Sequence, residues 1–329
     1  QEVILIEVEC LCACEMAPMA QLDERFVGPL EGGSVDSIIQ DSFLLRGKYR
    51  FCRYFYGTLA LAALLKLATP IELQVAAVKA LLPELREELR LDLVVANGEN
   101  AAGGFGLTVD TANELLDSGV DILTSGNHIW DQKEMVAHLD EGLPVIRPAN
   151  YPDAPGLGSL VQDNVMVINL QGRVFMTPLD CPFRTADRIL NEAAVSGLPP
   201  VIIVDFHAEA TSEKIAMGWY LDGDVTAVVG THTHVQTADE RILPKGTAYI
   251  TDVGMTGPHD SIIGVERGPV LNRFLNGRPS RFETASTNPR LNAVVIASDP
   301  SNGRASKIER VSLAASALTT PTPTSVSVP

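Results

Sequence analysis

Residues 91–100, LDLVVANGEN, join a short apolar run to the polar cluster Asn97-Gly98-Glu99-Asn100. The arrangement recurs where the runs 120–124, 201–204 and 225–229 lead into Gly126-Asn127-His128, Asp205-Phe206-His207 and Thr231-His232-Thr233-His234. Short runs rich in β-branched residues, separated by helix-like stretches, predict buried strands. In an open α/β sheet, the loops at the carboxyl ends of such strands share one edge. The four clusters are therefore predicted to meet at one site.

The composition is that of an acidic globular protein. The chain has 329 residues, of which 46% are hydrophobic, enough for a substantial core. Its formal charge of -16 disfavours long nucleic acid as a partner, because a phosphate backbone would be repelled. The best candidate for a membrane span, 58–68, is short and carries Lys66, and the first residues lack a basic export signal. We therefore predict a cytoplasmic protein without a membrane or nucleic-acid partner.

Helix and strand signals alternate after residue 75, with helices predicted over 74–90, 184–195 and 212–219 and a strand over 165–170. Pro83 is expected to kink the first helix or to begin a new one. Four later strands, 248–250, 280–284, 291–296 and 307–313, have little helix between them and are expected to complete a second, antiparallel sheet. The pattern predicts a mixed two-sheet sandwich with outer helices. Residues 314–329, rich in Ser, Thr and Pro, are predicted to form a disordered tail.

The first 75 residues have a different, irregular composition. They contain four of the five cysteines, Cys10, Cys12, Cys14 and Cys52. The Cys-x-Cys-x-Cys run could bind a soft metal, but it lacks the paired spacing of a zinc ribbon.

The polar clusters supply imidazoles, a glutamate and asparagine amides but no thiolate, a donor set that suits iron, manganese or zinc in a reactive site. Glu99 is the candidate bridging ligand, because a carboxylate between two cations lowers their repulsion. Asn127, His207 and His232 would hold one ion, and His234 the other. Two such ions can bind phosphate oxygens and activate water, so the pattern predicts phosphoester hydrolysis.

Several neighbouring residues are assigned supporting roles. His128 follows a proposed ligand and could protonate the leaving alkoxide, so it is predicted to be the catalytic acid. Asp205 and Glu209 could orient imidazoles as hydrogen-bond acceptors, or cap the following helix. Arg173 is a candidate substrate contact, and a surface salt bridge is the alternative interpretation.

Longer runs of sequence around these clusters extend the pattern. They are Asn97-Gly98-Glu99-Asn100-Ala101-Ala102, Gly126-Asn127-His128-Ile129-Trp130-Asp131, Arg147-Pro148-Ala149-Asn150, Asn169-Leu170-Gln171-Gly172-Arg173, residues 205–214, residues 230–237 and residues 251–257. With these runs the chain resembles the YmdB-like family of bacterial metallophosphoesterases, within the calcineurin-like superfamily, over residues 76 to 312. Several long motifs at fixed spacing are far more specific than a single metal motif.

The resemblance implies an α/β fold, a four-layer α/β/β/α sandwich of two mixed sheets. It also implies phosphodiesterase activity on a small phosphodiester, with cyclic nucleotides among the substrates, and a homo-oligomer. The implied cofactors are two divalent metal ions, iron or manganese, with zinc as the alternative. The implied ligands are Glu99, Asn127, His207, His232 and His234, with Asn100 close by as a metal or substrate contact and His128 catalytic.

One family feature is missing from this sequence. The family's first strand ends in Gly-Asp, whose aspartate binds the first metal about thirty residues before the bridging glutamate. By that count this chain has Ala68, and no Gly-Asp precedes Glu99. We therefore predict that residues 1–75 are an atypical segment from a fused upstream reading frame, that residues 76–313 form the metallophosphoesterase domain, and that one metal site is weak or empty.

Two other functions fit the same residues. A non-catalytic phosphate- or nucleotide-binding regulator would keep Asn127, His207 and His232 for a single structural metal. A metal-dependent nucleotidase acting on monoesters would share every ligand and differ in the shape of its pocket. Metal stoichiometry separates the first of these from an enzyme.

Overall fold

The computed structural model describes residues 2–8, 20–22, 25–27, 73–197 and 199–315. The chain divides into two compact units, Gln1–Leu11 with Pro70–Pro329, and Cys12–Thr69. Of the second unit, the described part is a short antiparallel hairpin of β2 (Ala20–Leu22) and β3 (Arg25–Val27). The Cys-x-Cys-x-Cys run, Cys52, Ala68 and tail residues 316–329 lie outside the described residues.

The larger unit contains two six-stranded mixed sheets. The first has the order β14-β13-β12-β1-β4-β5, and its strands β12, β1, β4 and β5 are parallel. Its strands are β1 (Glu2–Val8), β4 (Leu93–Asn97), β5 (Ile122–Thr124), β12 (Met255–Pro258), β13 (Pro289–Ser298) and β14 (Ala305–Ala314).

The second sheet has the order β10-β11-β9-β8-β7-β6, with four parallel strands between two antiparallel edge strands. Its strands are β6 (Ser159–Gln162), β7 (Val165–Gln171), β8 (Val201–His207), β9 (Ala227–Thr231), β10 (Arg241–Ile242) and β11 (Ala248–Ile250). Strands β7 and β8 are buried along their whole length, as continuous apolar runs in a covered parallel sheet should be.

Five helices pack on the outer faces of the two sheets. They are α1 (73–89), α2 (Val109–Asp117), α3 (Lys133–His138), α4 (Pro182–Ser196) and α5 (Thr211–Tyr220). A sixth helix, α6 (Arg267–Asn276), buries Val270. Leu82 of α1 and Leu115 of α2 pack with the first sheet, whereas Met217 of α5 packs with the second. The described residues contain no helix that is both long and apolar enough to cross a membrane.

Besides the two clusters between helices and sheets, a third cluster of buried apolar side chains lies between the two sheets. Val95 of β4 packs there with Val167 of β7 and Ile203 of β8. All three side chains are fully buried, and removal of such apolar surface from water is the main force that holds layers together. The order of layers is helix, sheet, sheet, helix, which confirms the predicted four-layer α/β/β/α sandwich.

The position of β1 could not be read from the sequence. Val3–Glu7 pair in parallel with Leu93–Asn97, and β1 also pairs with β12 and β13. The seven residues of β1, Glu2–Val8, therefore belong to the first sheet, although the predicted boundary at residue 75 places them outside the domain. The sequence did not reveal this pairing, because residues 9–92 separate β1 from β4 along the chain. The origin of the remaining residues up to 75 stays a prediction.

Three expectations for the later part of the chain were wrong. Residues 280–284 form no strand, only an isolated bridge between Thr284 and Val265, because Phe282 is the sole apolar side chain in that stretch. Helix α6 lies where little helix was expected. Strands β13 and β14 do not form a separate antiparallel sheet. They extend the first sheet, because β13 pairs with β1. The alternative that a new helix begins at Pro83 was also wrong, because helix α1 is continuous across Pro83. The kink at Pro83 stays a prediction.

Candidate metal centre

The carboxyl ends of the parallel strands in both sheets meet at one edge of the sandwich. Asn97 ends β4 of the first sheet, and its Nδ2 donates to Oδ2 of Asp205 on β8 of the second sheet at 3.0 Å. The hydroxyl of Thr124, the last residue of β5, also donates to Asp205. The predicted clusters that follow these strands are therefore neighbours, as the shared edge required.

Four of the predicted ligands, Glu99, Asn127, His207 and His232, lie close together at this edge. Nε2 of His207 lies 3.0 Å from Oε2 of Glu99 and 3.0 Å from Oδ1 of Asn127. One possible ligand atom from each of Glu99, His207 and His232 lies within 4.8 Å of the others. Glu99 and His207 are buried, and His232 is partly buried.

The surroundings of His207 fix which ring nitrogen carries the proton. Thr231 Oγ1 donates its single proton to Oδ1 of Asp205 at 2.8 Å, so Nδ1–H of His207 donates to Thr231 Oγ1 at 3.1 Å. Burial lowers the pKa of His207, against the opposing charge of Glu99, and favours the neutral ring. The lone pair of His207 therefore lies on Nε2, toward the two oxygens.

A nitrogen lone pair and two oxygens that face one another repel unless a cation lies between them. Burial alone would raise the pKa of Glu99, but the neighbouring imidazoles of His207, His128 and His232 bring it well below its usual range. The glutamate is thus an anion. Buried Oδ1 of the neighbouring Asn100 has no hydrogen-bond partner in the described part of the chain. The residues present therefore fit a bound metal ion, and the donors are those of iron, manganese or zinc.

Gly126 is required by the position of His207. A Cβ atom at Gly126 would overlap the imidazole of His207. Glycine alone lets the loop after β5 pass this close to the ring and carry Asn127 to the site.

His128 lies beside the ligand cluster. Its backbone N–H donates to Oε1 of Glu99 at 2.8 Å, and its Nδ1 lies 2.8 Å from Oδ2 of Asp131. The ring of Phe105 makes an edge contact with the imidazole at 5.5 Å between centroids. The Asp131 carboxylate orients the ring, so His128 has the fixed orientation that a proton donor needs.

The loop after β9 carries two histidines in an unusual backbone conformation. His232 and His234 have φ angles of 96° and 65°, a region that non-glycine residues rarely adopt. Thr233 between them is held by Asp252, whose Oδ2 accepts from the Thr233 N–H at 3.0 Å. Lys214 Nζ donates to both, to Asp252 at 2.9 Å and to Thr233 at 3.0 Å. This buried network opposes the backbone strain and presents both imidazoles.

His234 and Arg173 are not part of the converging group. His234 is buried, its Nδ1 lies 3.4 Å from the carbonyl of Ile263, and burial lowers its pKa to about 4. It is neutral, with Nε2 left as the possible ligand atom. Arg173 is exposed and its Nη2 lies 3.5 Å from Sγ of Cys181. Glu209 contacts His232, with 3.1 Å between Oε2 and Nε2, and Asp205 reaches His207 through Thr231.

Sequence reasoning missed the residues behind the ligands. Lys214 and Asp252 lie within recognised motifs, but no spacing rule connects a helix residue with a loop residue 38 positions away. Thr231 was likewise unassigned, although it ends a strand next to His232 and so could have been suspected.

Comparison with known proteins matches residues 73–311 to the family model described as YmdB-like protein. A 2′,3′-cyclic-nucleotide 2′-phosphodiesterase of Bacillus subtilis (strain 168) is 52% identical over 239 residues, which are 71% of this chain and 90% of the relative.

Two solved structures are also similar. A hypothetical protein from Thermus thermophilus shares 46% identity at a TM-score of 0.68, covering 73% of this chain and 94% of that one. A novel phosphatase from Mycoplasma pneumoniae shares 35% identity at a TM-score of 0.69, covering 73% and 89%. The matched region contains every proposed ligand. This chain therefore belongs to the YmdB-like protein family.

Proposed function

We propose that this chain is a metal-dependent phosphodiesterase that opens 2′,3′-cyclic nucleotides. The observation that carries the proposal is the convergence of the His207 nitrogen with the Glu99 and Asn127 oxygens, 3.0 Å apart in each case. The substrate class follows the name of the Bacillus subtilis relative, which is a 2′,3′-cyclic-nucleotide 2′-phosphodiesterase.

The residues divide into two ligand sets around Glu99. Asn127, His207 and His232 would hold one ion, and Asn100 with His234 would complete the other. Iron or manganese are the proposed metals, with zinc as the alternative. When bound, the metals would neutralise the phosphoryl charge and acidify a water. The first-strand aspartate of the family is missing, so the second ligand set is the weaker one.

The protein residues account for the rest of the reaction. The water oxygen bonds to phosphorus as one of the water protons is released to solvent, and the bond from phosphorus to the ribose 2′ oxygen breaks. The protonated His128 gives its proton to that leaving oxygen, and Asp131 keeps the ring aligned by its 2.8 Å contact with Nδ1. The product is a 3′-phosphate with a free 2′ hydroxyl. Location in the cytoplasm and self-association stay predictions.

The experiment combines metal analysis with turnover. Metal per chain is measured on the purified full chain, together with hydrolysis of 2′,3′-cyclic AMP with added manganese. We compare Glu99→Gln and His128→Gln with His138→Gln, which alters a half-exposed histidine on α3. We expect Glu99→Gln to lose metal and turnover, His128→Gln to lose turnover alone, and His138→Gln to lose neither.

Two outcomes would overturn the proposal. A wild-type chain that binds one ion and hydrolyses no phosphodiester is the regulator instead. Hydrolysis of nucleoside monophosphates without any action on the cyclic diester identifies a nucleotidase. A metal content near one with full turnover would leave the activity intact and reject the two-ion arrangement.

A further inference from the structure

Gln171 ends strand β7 beside a proposed metal ligand. It pairs in register with His207 on the neighbouring strand β8. Val167 of β7 and Ile203 of β8 both pack into the cluster between the sheets. Side chains alternate along a strand, so Gln171 and His207 lie on that same inner face, four residues further along, at the edge where the ligands meet.

The backbone and one end of the Gln171 side chain are firmly held. Asn150 accepts from the Gln171 N–H at 2.9 Å and donates to its carbonyl at 2.8 Å. Tyr151 Oη donates to Gln171 Oε1 at 3.2 Å, which orients the amide. Burial raises the pKa of Tyr151, and the negative charges of Glu99 and Asp131 raise it further. Tyr151, which is bonded to Gln171, is therefore close enough to the site to interact with its charges.

The other end of the side chain is unsatisfied. Gln171 is fully buried, and its Nε2 has no hydrogen-bond partner in the described part of the protein. A buried donor without a partner is costly, and native structures keep few of them. A methionine would fill a similar volume without this cost. Within the described part of the protein, this position therefore keeps a buried donor that is free to bind a ligand.

We propose that the Gln171 side-chain amide donates a hydrogen bond to a phosphoryl oxygen of the bound substrate. The donor lies beside His207, at the edge that the phosphate would occupy, and a neutral N–H suits an anionic oxygen. The substrate identity rests on the proposed function, but the phosphate contact is independent of turnover. Gln171 would thus fix the orientation of the phosphoryl group against His128.

The test uses binding of inorganic phosphate to the metal-loaded full chain, by titration calorimetry, with KM and kcat for the cyclic nucleotide measured separately. Gln171→Met removes the donor at similar volume. Gln171→Glu keeps the acceptor for Tyr151 and replaces the donor with an oxygen. Gln162→Met is the matched control, because Gln162 pairs with Val165 at the opposite end of β7.

We expect Gln171→Met to bind phosphate about tenfold to a hundredfold more weakly, with metal content and melting temperature preserved. Gln171→Glu should bind more weakly still, and Gln162→Met should match the wild type. Wild-type phosphate affinity in Gln171→Met, or a loss of metal in that variant, overturns the inference. If the wild type binds phosphate but cleaves no diester, the proposed function fails. The comparison of phosphate affinities between the wild type and Gln171→Met still tests the contact. Should Gln171→Met not fold, the Gln171→Glu titration gives the answer.

Discussion

Lys214 Nζ lies 2.9 Å from Oδ2 of Asp252, and both side chains are buried, at 1% and 0% exposure. The pair joins helix α5 to the loop after β11 and holds Thr233 between two histidines. Its role is therefore to shape a loop rather than to contact substrate.

Substitution of Lys214 by methionine should leave the buried Asp252 carboxylate without its charged partner. A buried pair that loses one member costs about 3–5 kcal/mol of unfolding free energy. Urea denaturation of the wild type and of Lys214→Met measures this difference in the free energy of unfolding. The control is Lys79→Met, because Lys79 and Glu114 form an exposed pair at 48% and 49% exposure, whose loss should cost less than about 1 kcal/mol. Equal losses in the two variants would contradict the interpretation of Lys214.

Substitution of Gly126 by alanine should displace His207 and abolish metal binding. The added Cβ meets the imidazole, and the ring cannot move away without losing its bond to Thr231. Metal content of the purified variant checks this, with circular dichroism to show that the fold persists. Gly268→Ala is the control, because a Cβ there meets nothing within 4 Å. Wild-type metal content in Gly126→Ala would be the contrary result.

Substitution of Asp131 by asparagine should slow cleavage of the cyclic nucleotide by roughly tenfold or more, because His128 loses its charged orienting partner. A substrate with a p-nitrophenolate leaving group needs no proton donor, so its rate should fall much less. Asp131→Asn added to His128→Gln should cost little beyond His128→Gln alone, since the two act as a unit. A similar loss for both leaving groups would reject the acid role of His128.

The stability of the protein should fall in alkaline solution through Tyr249. This buried side chain shares a 3.0 Å hydrogen bond with Thr251, and burial raises its pKa to about 12. The stabilisation is complete below pH 10, where the unfolded phenol titrates, and is lost as the pH rises to about 12. The loss should be on the order of 2 kcal/mol. Chemical denaturation from pH 9 to 12 should show a steeper decline for the wild type than for Tyr249→Phe; parallel curves would contradict this.

The sequence predicted the strands best where apolar runs were continuous. Strand β11 has the predicted bounds, and β7 and β8 differ from prediction by a few residues at one end. These strands are covered on both faces, so nearly every position is buried and the sequence shows a continuous apolar run. The meeting of Glu99 with His207 followed from the same rule, because strand ends in parallel sheets share an edge.

Other features depended on contacts that have no local pattern. The place of β1 depends on pairing with distant β4, and the separation of His234 from the cluster depends on the loop that Thr233 anchors. The unsatisfied amide of Gln171 is visible only once every neighbouring donor and acceptor is placed. Sequence patterns report which face is buried, but they do not report which polar atom lacks a partner.

The contact between Asn97 and Asp205 joins two sheets whose strands lie far apart along the chain, 108 positions in this case. Glu99 leaves the ribosome long before His207 and His232 exist. An ion held by all three can therefore enter only after most of the protein has been synthesised and both sheets have closed. Metal uptake would be one of the last steps in the maturation of this protein, and a chain truncated before residue 232 could not complete it.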